Sequence, residues 1–245
     1  DVYKRQGRSK LIQASEVAVV QSIHVVDGQP VRKGDVLVEL EGQLTEADIK
    51  RLGSELLAAQ IDQARASTLL SALDGDVAPA SLAPLIPQAT AVQQAGAQRW
   101  LEGQYLELQA TLEQADAEIG QRAAEIRSAQ GRADALQQLL VITRQLTADY
   151  KLLFSESAVA KHTYLEKEQA RLEQERELAL QRSRIAELTA ARLAAQHRRS
   201  GAIAQLRRAM LDLHGEAQRR IATLEQELNK AEQRHRLKVL TSPVD

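Results

Sequence analysis

Five histidines, His24, His162, His197, His214 and His235, are the first side chains to test for chemistry, because imidazole binds metals and moves protons near neutral pH. No two of them stand four residues apart on one helix, and none has a carboxylate pair beside it, so no zinc or iron site is expected and solvated surface histidines are the reading. The chain has no cysteine, which removes disulfides, thiolate metal sites and cysteine nucleophiles. Gly28 to Gly34 encloses a lysine but lacks the glycine spacing that cradles phosphate. Glu173, Glu175 and Glu177 sit in a run with basic neighbours, and nothing there would bury a carboxylate and raise its pKa for acid-base work. The doublets Arg198-Arg199, Arg207-Arg208 and Arg219-Arg220 recur beside acidic residues without an aromatic stacking platform, so they read as solvated or interhelix faces and no nucleic-acid partner is expected. The expectation is therefore no enzyme, with no catalytic residue, metal or cofactor, and a function that resides in shape.

The elements that would supply that shape are legible in the composition. The 245 residues are 44% hydrophobic, and 32 Lys+Arg against 33 Asp+Glu give a net charge of −1, which suits neither a disordered tail nor a basic nucleic-acid binder. Aromatics are confined to Tyr3, Trp100, Tyr105, Tyr150, Phe154 and Tyr164, and the 155 residues from Gln88 to Ser242 contain no proline. Compact cores rely on aromatics, whereas an Ala/Leu/Glu/Gln/Arg-rich stretch without proline builds long helices. The longest uncharged stretch, Val77 to Gln98, holds three prolines and four glutamines and cannot cross a bilayer as a helix. The chain opens at Asp1 without methionine and closes in mid-pattern, which reads as an internal piece of a longer protein.

Residues 11–41 carry β-branched runs at Val17 to Val20, Ile23 to Val26 and Val36 to Leu40, separated by Asp27-Gly28 and Lys33-Gly34-Asp35 turns. Ile23, Val25, Val31, Leu37 and Leu40 are the expected core of this small strand module, which is too short to fold alone. From Leu44 the period changes. Ile49, Leu52, Leu56, Ala59, Gln63, Ala66, Leu70 and Leu73 alternate steps of three and four, predicting helix 1 over 44–73, and Pro79, Pro84 and Pro87 end it in a linker over 74–89. Helix 2 starts near Thr90. Its series Leu101, Tyr105, Leu108, Leu112, Ala115, Ile119, Arg122, Ile126, Ala129, Ala133, Leu136, Leu140, Thr143, Thr147, Tyr150, Phe154 holds the alternation throughout, as a coiled-coil seam does.

Helix 3 is expected over 161–237, with a seam through Leu165, Leu172, Leu178, Ile185 and Leu188, then Ile203, Leu206, Met210, Leu213, Ala217, Ile221, Leu224, Leu228 and Ala231, and a stutter at Ala217. At about 1.5 Å per residue, helices 2 and 3 would extend roughly 95 and 115 Å. Such rods need a partner for their apolar stripe. Residues 44–153 carry a net charge of −5 and residues 161–237 one of +5, so the two arms complement each other, and a turn at 154–160 makes an antiparallel hairpin with helix 1 at its base. Residues 238–245 return to strand character, Lys238 to Thr241 being β-prone before Pro243.

The run from Gly7 to Glu41, GRSKLIQASEVAVVQSIHVVDGQPVRKGDVLVELE, resembles the first half of a biotinyl/lipoyl-type barrel-sandwich module. With the helical excursion and AVAKHTYLEKE at Ala158 to Glu168, the chain from Gly7 onward resembles the HlyD-family periplasmic adaptors, or membrane fusion proteins, of type I secretion. The resemblance implies a mainly α fold: a long antiparallel coiled-coil hairpin of three helices inserted in a split lipoyl-like β barrel-sandwich module, with the first half at 7–43 and the start of the second at 238–245. It implies an inner-membrane anchor outside this chain, the present region in the periplasm, and a homo-oligomer, expected as a hexamer. The implied partners are an inner-membrane ABC transporter, an outer-membrane TolC-like channel and a secreted protein substrate. The hairpin tip would contact the channel through Leu153, Phe154, Val159, Lys161 and His162. Two departures stand out. Glu41-Gly42-Gln43 replaces the lysine turn that carries biotin or lipoate, so no cofactor is expected. The family's Arg-x3-Leu-x6-Ser/Thr tip pattern keeps Leu153 but places Asp149 at the arginine and Ala160 at the hydroxyl. Residues 1–6 fit no part of the pattern. A drug-efflux adaptor of the same superfamily and a coiled-coil scaffold are the alternative readings.

Overall fold

The computed structural model describes residues 10–14 and 17–243. Residues 1–6 and Gly7 to Ser9 of the GRSK run lie outside them. The element order is β1 Val20–Ile23, β2 Val36–Leu40, α1 Gln43–Gly75, α2 Ala91–Ser155, α3 Lys161–Arg236 and β3 Val239–Thr241. The chain divides into two compact units, one of residues 1–101 and 209–245 and the other of residues 102–208.

In the first unit the three strands form one antiparallel sheet in the order β1-β2-β3. Val38 faces Ile23 on one side and Leu240 on the other, so strands from opposite ends of the sequence share a ladder. Two further bonds extend it: Gly34 N–H donates to Ser242 O (2.8 Å) and Ser242 N–H to Asp35 O (2.9 Å). The turns on either side of residues 29–33 use Gly28 (φ +81°) and Gly34 (φ +92°), conformations that an L side chain rarely adopts. The β-branched runs at 17–20 and 23–26 do not make separate strands; they meet in the single strand β1, which carries an irregularity between Val20 and Ser22. The expected core residue Ile23 is 67% exposed, because β1 is an edge strand and the side chain stands on an uncovered face, whereas Leu40 is buried. Val25, Val31 and Leu37 are half-buried.

Helix α1 packs its Leu52 and Ala59 against Leu224 of α3, with Leu56, Ile221 and Leu228 around them. A polar clasp closes this end: Thr45 Oγ1 donates to Gly42 O (2.7 Å) and lies 3.1 Å from His235 Nδ1. The α1 face is wider than a single seam, since Leu69 is fully buried as well. Leu82 and Ile86 of the proline-rich connection are also fully buried. The backbone there is satisfied by glutamines, with Leu82 N–H donating to Gln98 Oε1 (3.0 Å) and Gln94 Nε2 to Ile86 O (3.1 Å). Thr90 and Gln93 then form a reciprocal capping box at the start of α2: Gln93 N–H donates to Thr90 Oγ1 (3.3 Å) and Thr90 N–H to Gln93 Oε1 (2.9 Å).

In the second unit α2 and α3 run antiparallel. Ile126, Ala129 and Leu188 form one buried cluster, and Ala133, Leu140 and Leu178 another, with Ile185 against both. The α2 seam is buried or half-buried at every position named above except Phe154, which lies beside the turn. The α3 seam requires a correction. Leu165 is 48% and Leu172 51% exposed; the positions turned toward α2 are Tyr164, Lys167, Arg171 and Gln174. Stepping back by four and three from Ile185 gives Gln181, Leu178, Gln174, Arg171, Lys167 and Tyr164, so the clusters farther along the helix fix the phase and carry the two leucines outward.

Candidate functional site

The far end of the second unit is a turn of five residues, 156–160, between the end of α2 at Ser155 and the start of α3 at Lys161. Its backbone closes in a Schellman motif: Ala158 N–H donates to Leu153 O (2.9 Å) and Ser157 N–H to Phe154 O (3.0 Å), with Ser157 left-handed at φ 62°. On the other side Ala160 caps α3 with its backbone alone, its carbonyl accepting from Tyr164 N–H (3.4 Å). An aromatic pair locks the two helix ends together. Phe154 and Tyr164 stack with ring centroids 5.8 Å apart and planes 7° from parallel, and Lys167 Nζ lies 5.6 Å from the Tyr150 ring centre.

The turn and its two flanking helix ends hold all five residues expected at the tip. Leu153 and Phe154 are 38% and 37% exposed, Val159 is half-buried, and Lys161 and His162 project into solvent, His162 Nε2 lying 3.0 Å from Glu166 Oε1. Sequence reading missed Tyr164 and Ser157. Tyr164 is signalled only by its place four residues after Ala160, one helical turn into α3; Ser157 by nothing except the need for a left-handed residue where a helix reverses. Leucine and phenylalanine beside a lysine and a histidine, on a backbone already hydrogen-bonded, make a pre-shaped end that presents apolar and basic groups side by side.

Behind the tip, bonds between the arms set their alignment. Thr147 Oγ1, buried, reaches Lys167 O (3.3 Å), and Arg144 donates through Nε and Nη2 to Glu175 Oε1. Farther along, Arg198 binds Glu118 (2.7 Å) and Arg199 binds Asp116 (2.8 Å), so this doublet is an interhelix face. The hydrogen bond from Arg171 holds Glu168 below the ordinary carboxylate range, and that from Arg144 does the same for Glu175. Among the described residues no group of three metal-ligating side chains gathers, and no helix is long and apolar enough to cross a membrane.

In chain order a pair of long antiparallel helices stands between strands that share one sheet, the arrangement of helical-hairpin membrane fusion proteins. Residues 41–238 match the model of the CyaD alpha-helical hairpin domain. The chain belongs to that family, the HlyD-type membrane fusion proteins of type I secretion. It is 28% identical over 241 residues to the plasmid-borne hemolysin secretion protein D of Escherichia coli, covering 97% of this chain and 50% of that protein. It is 32% identical over 241 residues to protein CyaD of Bordetella pertussis, covering 98% of this chain and 47% of that protein. The chain thus spans about half the length of the curated relatives it matches. In fold it is similar to the soluble domain of LipC, a membrane fusion protein of a type I secretion system, with a TM-score of 0.81 at 21% identity over 96% of this chain and 89% of that one.

Proposed function

We propose that this chain is the periplasmic hairpin region of a type I secretion adaptor that bridges an inner-membrane ABC transporter to an outer-membrane TolC-like channel. The protein would be anchored in the inner membrane by a segment outside this chain, act as a homo-oligomer, expected as a hexamer, and perform no chemistry of its own. The observation that carries the reading is the antiparallel pair of arms over residues 102–208, ending in a pre-shaped turn that exposes Leu153 and Phe154. The arm of residues 102–155 is about 80 Å long at 1.5 Å per residue, a length that suits a spacer across an aqueous compartment. Leu153, Phe154, Val159, Lys161 and His162 would meet the channel. The three strands would be parts of a split lipoyl-like module whose remaining strands lie elsewhere in the parent protein. The relatives' names, for hemolysin secretion and for CyaD, support a protein as cargo over a small drug.

The test is site-specific cross-linking in cells that secrete. Phe154→Cys and Val159→Cys, placed in the full-length protein, are expected to capture an outer-membrane channel; failure of both to do so in a secreting cell overturns the bridging reading.

A further inference from the structure

Three of the chain's six aromatic side chains, Tyr150, Phe154 and Tyr164, stand at the turn or just behind it. They gather where the seam has already given way to Thr147, Lys167, Arg171 and Gln174, so the aliphatic clusters between Ile126 and Leu140 lie too far back to order the helix ends. On the α2 side the Schellman bonds fix the backbone, with Glu156 N–H donating to Leu152 O (3.1 Å) beneath them. The α3 side has no such aid. Its cap is the bare Ala160 carbonyl, and among the described residues no hydrogen bond or ion pair joins Lys161, His162 or Thr163 to α2; His162 reaches only Glu166 on its own helix. The first turn of α3 is therefore set by the next side chain, the half-buried Tyr164, whose ring lies against one face of Phe154 with centroids 5.8 Å apart. Lys167 Nζ over the Tyr150 ring closes the same assembly one turn behind.

We propose that Tyr164 is a positioning residue for docking of the tip: it meets no partner itself and, through its stack on Phe154, holds the tip groups in the arrangement that the channel receives. The groups held this way are Phe154, which stays 37% exposed beside the stacked ring, and Lys161 and His162, which ride on the helical turn that Tyr164 anchors. An end whose side chains are ordered before contact binds more tightly than a mobile one, because their ordering entropy is not lost on association. The strength usual for an aromatic pair corresponds to about a two- to tenfold effect on docking. The ring is the working part, since the Tyr164 hydroxyl makes no hydrogen bond among the described residues. Leucine at this position would supply apolar bulk without a flat face to stack. The inference deepens the channel-docking reading and rests on it.

The test measures channel capture through Val159→Cys, which leaves the ring pair intact, in secreting cells and on the full-length protein, normalised to the amount of each variant. Tyr164→Phe keeps the ring and is expected to capture as its parent does, whereas Tyr164→Leu should capture about two- to tenfold less. Leu188→Ala controls for stability: it opens the cluster with Ile126 and Ala129, far from the turn, and its capture should match the parent's although its melting temperature falls further than that of Tyr164→Leu. A loss of capture in Leu188→Ala as large as in Tyr164→Leu would make the effect one of global stability and overturn the proposal. Equal losses in Tyr164→Phe and Tyr164→Leu would assign a direct contact to the hydroxyl and overturn it as well. Hydrogen exchange on the same full-length variants separates this inference from the bridging reading: Tyr164→Leu should speed exchange of the Glu156, Ser157 and Ala158 amides by about fivefold or more, and Tyr164→Phe should leave it unchanged. Faster exchange in a protein that captures no channel would remove the bridging role and leave standing the ordering of the turn by Tyr164. Capture that Tyr164→Leu leaves untouched, or exchange that it does not alter, would overturn the positioning role while bridging stands or falls on the parent's own capture.

Discussion

The phase of the α3 seam makes a sharp prediction for two leucines on one helix. Leu188 is 3% exposed, in a cluster with Ile126 and Ala129, whereas Leu172 is 51% exposed. Truncating a buried leucine removes its transfer free energy and leaves a cavity, about 2.7–5 kcal/mol in a closed core. A two-helix seam closes around a gap more readily than a globular interior, so Leu188→Ala should cost about 2–3 kcal/mol. Leu172→Ala leaves no cavity, and alanine's higher helix propensity offsets part of the lost contact, giving a change within about 0.5 kcal/mol. Urea unfolding of the isolated fragment, followed by circular dichroism at 222 nm, separates the two: the midpoint should fall clearly for Leu188→Ala and stay near wild type for Leu172→Ala. Equal losses would mean that Leu172 is in the seam and that the phase assigned to residues 164–178 is wrong.

At the turn, Ser157→Gly removes the left-handed penalty of a Cβ at φ 62° and should raise stability by about 0.5–1 kcal/mol after the entropy gained by the unfolded chain is subtracted, read as an increased melting temperature; a decrease would contradict the Schellman assignment. Ala160→Asp supplies the side-chain cap that α3 lacks and should add about 0.5–1 kcal/mol in the same assay, whereas no gain would place the helix start elsewhere. Glu168 and Glu175 have depressed pKa values, so their stabilisation is complete above the ordinary glutamate value of 4.5 and is lost as pH falls through the lower folded values. Melting temperatures of wild type and Glu175→Gln should therefore run parallel from pH 7 to about 5 and converge in more acid solution; a constant offset down to pH 2 would rule out this carboxylate as the cause.

What the sequence made legible was set by how uniformly each element used aliphatic residues. The α2 seam could be followed from Leu101 to Tyr150 because its steps never break, and the side chains at those positions are withdrawn from water. The tip half of α3 misled because its seam is Tyr164, Lys167, Arg171 and Gln174, residues whose long stems or ring cover apolar surface although their ends are polar. Arg171, for example, reaches both Glu168 and Glu175. Hydrophobicity alone selects the adjacent leucines; only extrapolating the phase from Leu178, Ile185 and Leu188 finds the right set. The two β-rich ends were recognisable, but Ile23 shows that residue type does not reveal which face of an edge strand is covered. The five expected tip residues could be placed from the turn and the AVAKH run, whereas the stacking of Tyr164 on Phe154 depends on the angle at which two helix ends meet.

The shift from aliphatic to polar seam has a mechanical corollary. Between Ile126 and Leu140 the arms adhere through side chains that water cannot replace, but from Thr143 to Tyr150 they hold through hydroxyl, ammonium and guanidinium groups that water can match, until the stacked Phe154 and Tyr164 close the turn. Cohesion is therefore weakest between the aliphatic clusters and the aromatic pair, and backbone amides of residues 167–174 should exchange with solvent deuterium before those of 178–188. A rod built this way is softest just behind its turn, between an aliphatic clasp on one side and an aromatic one on the other.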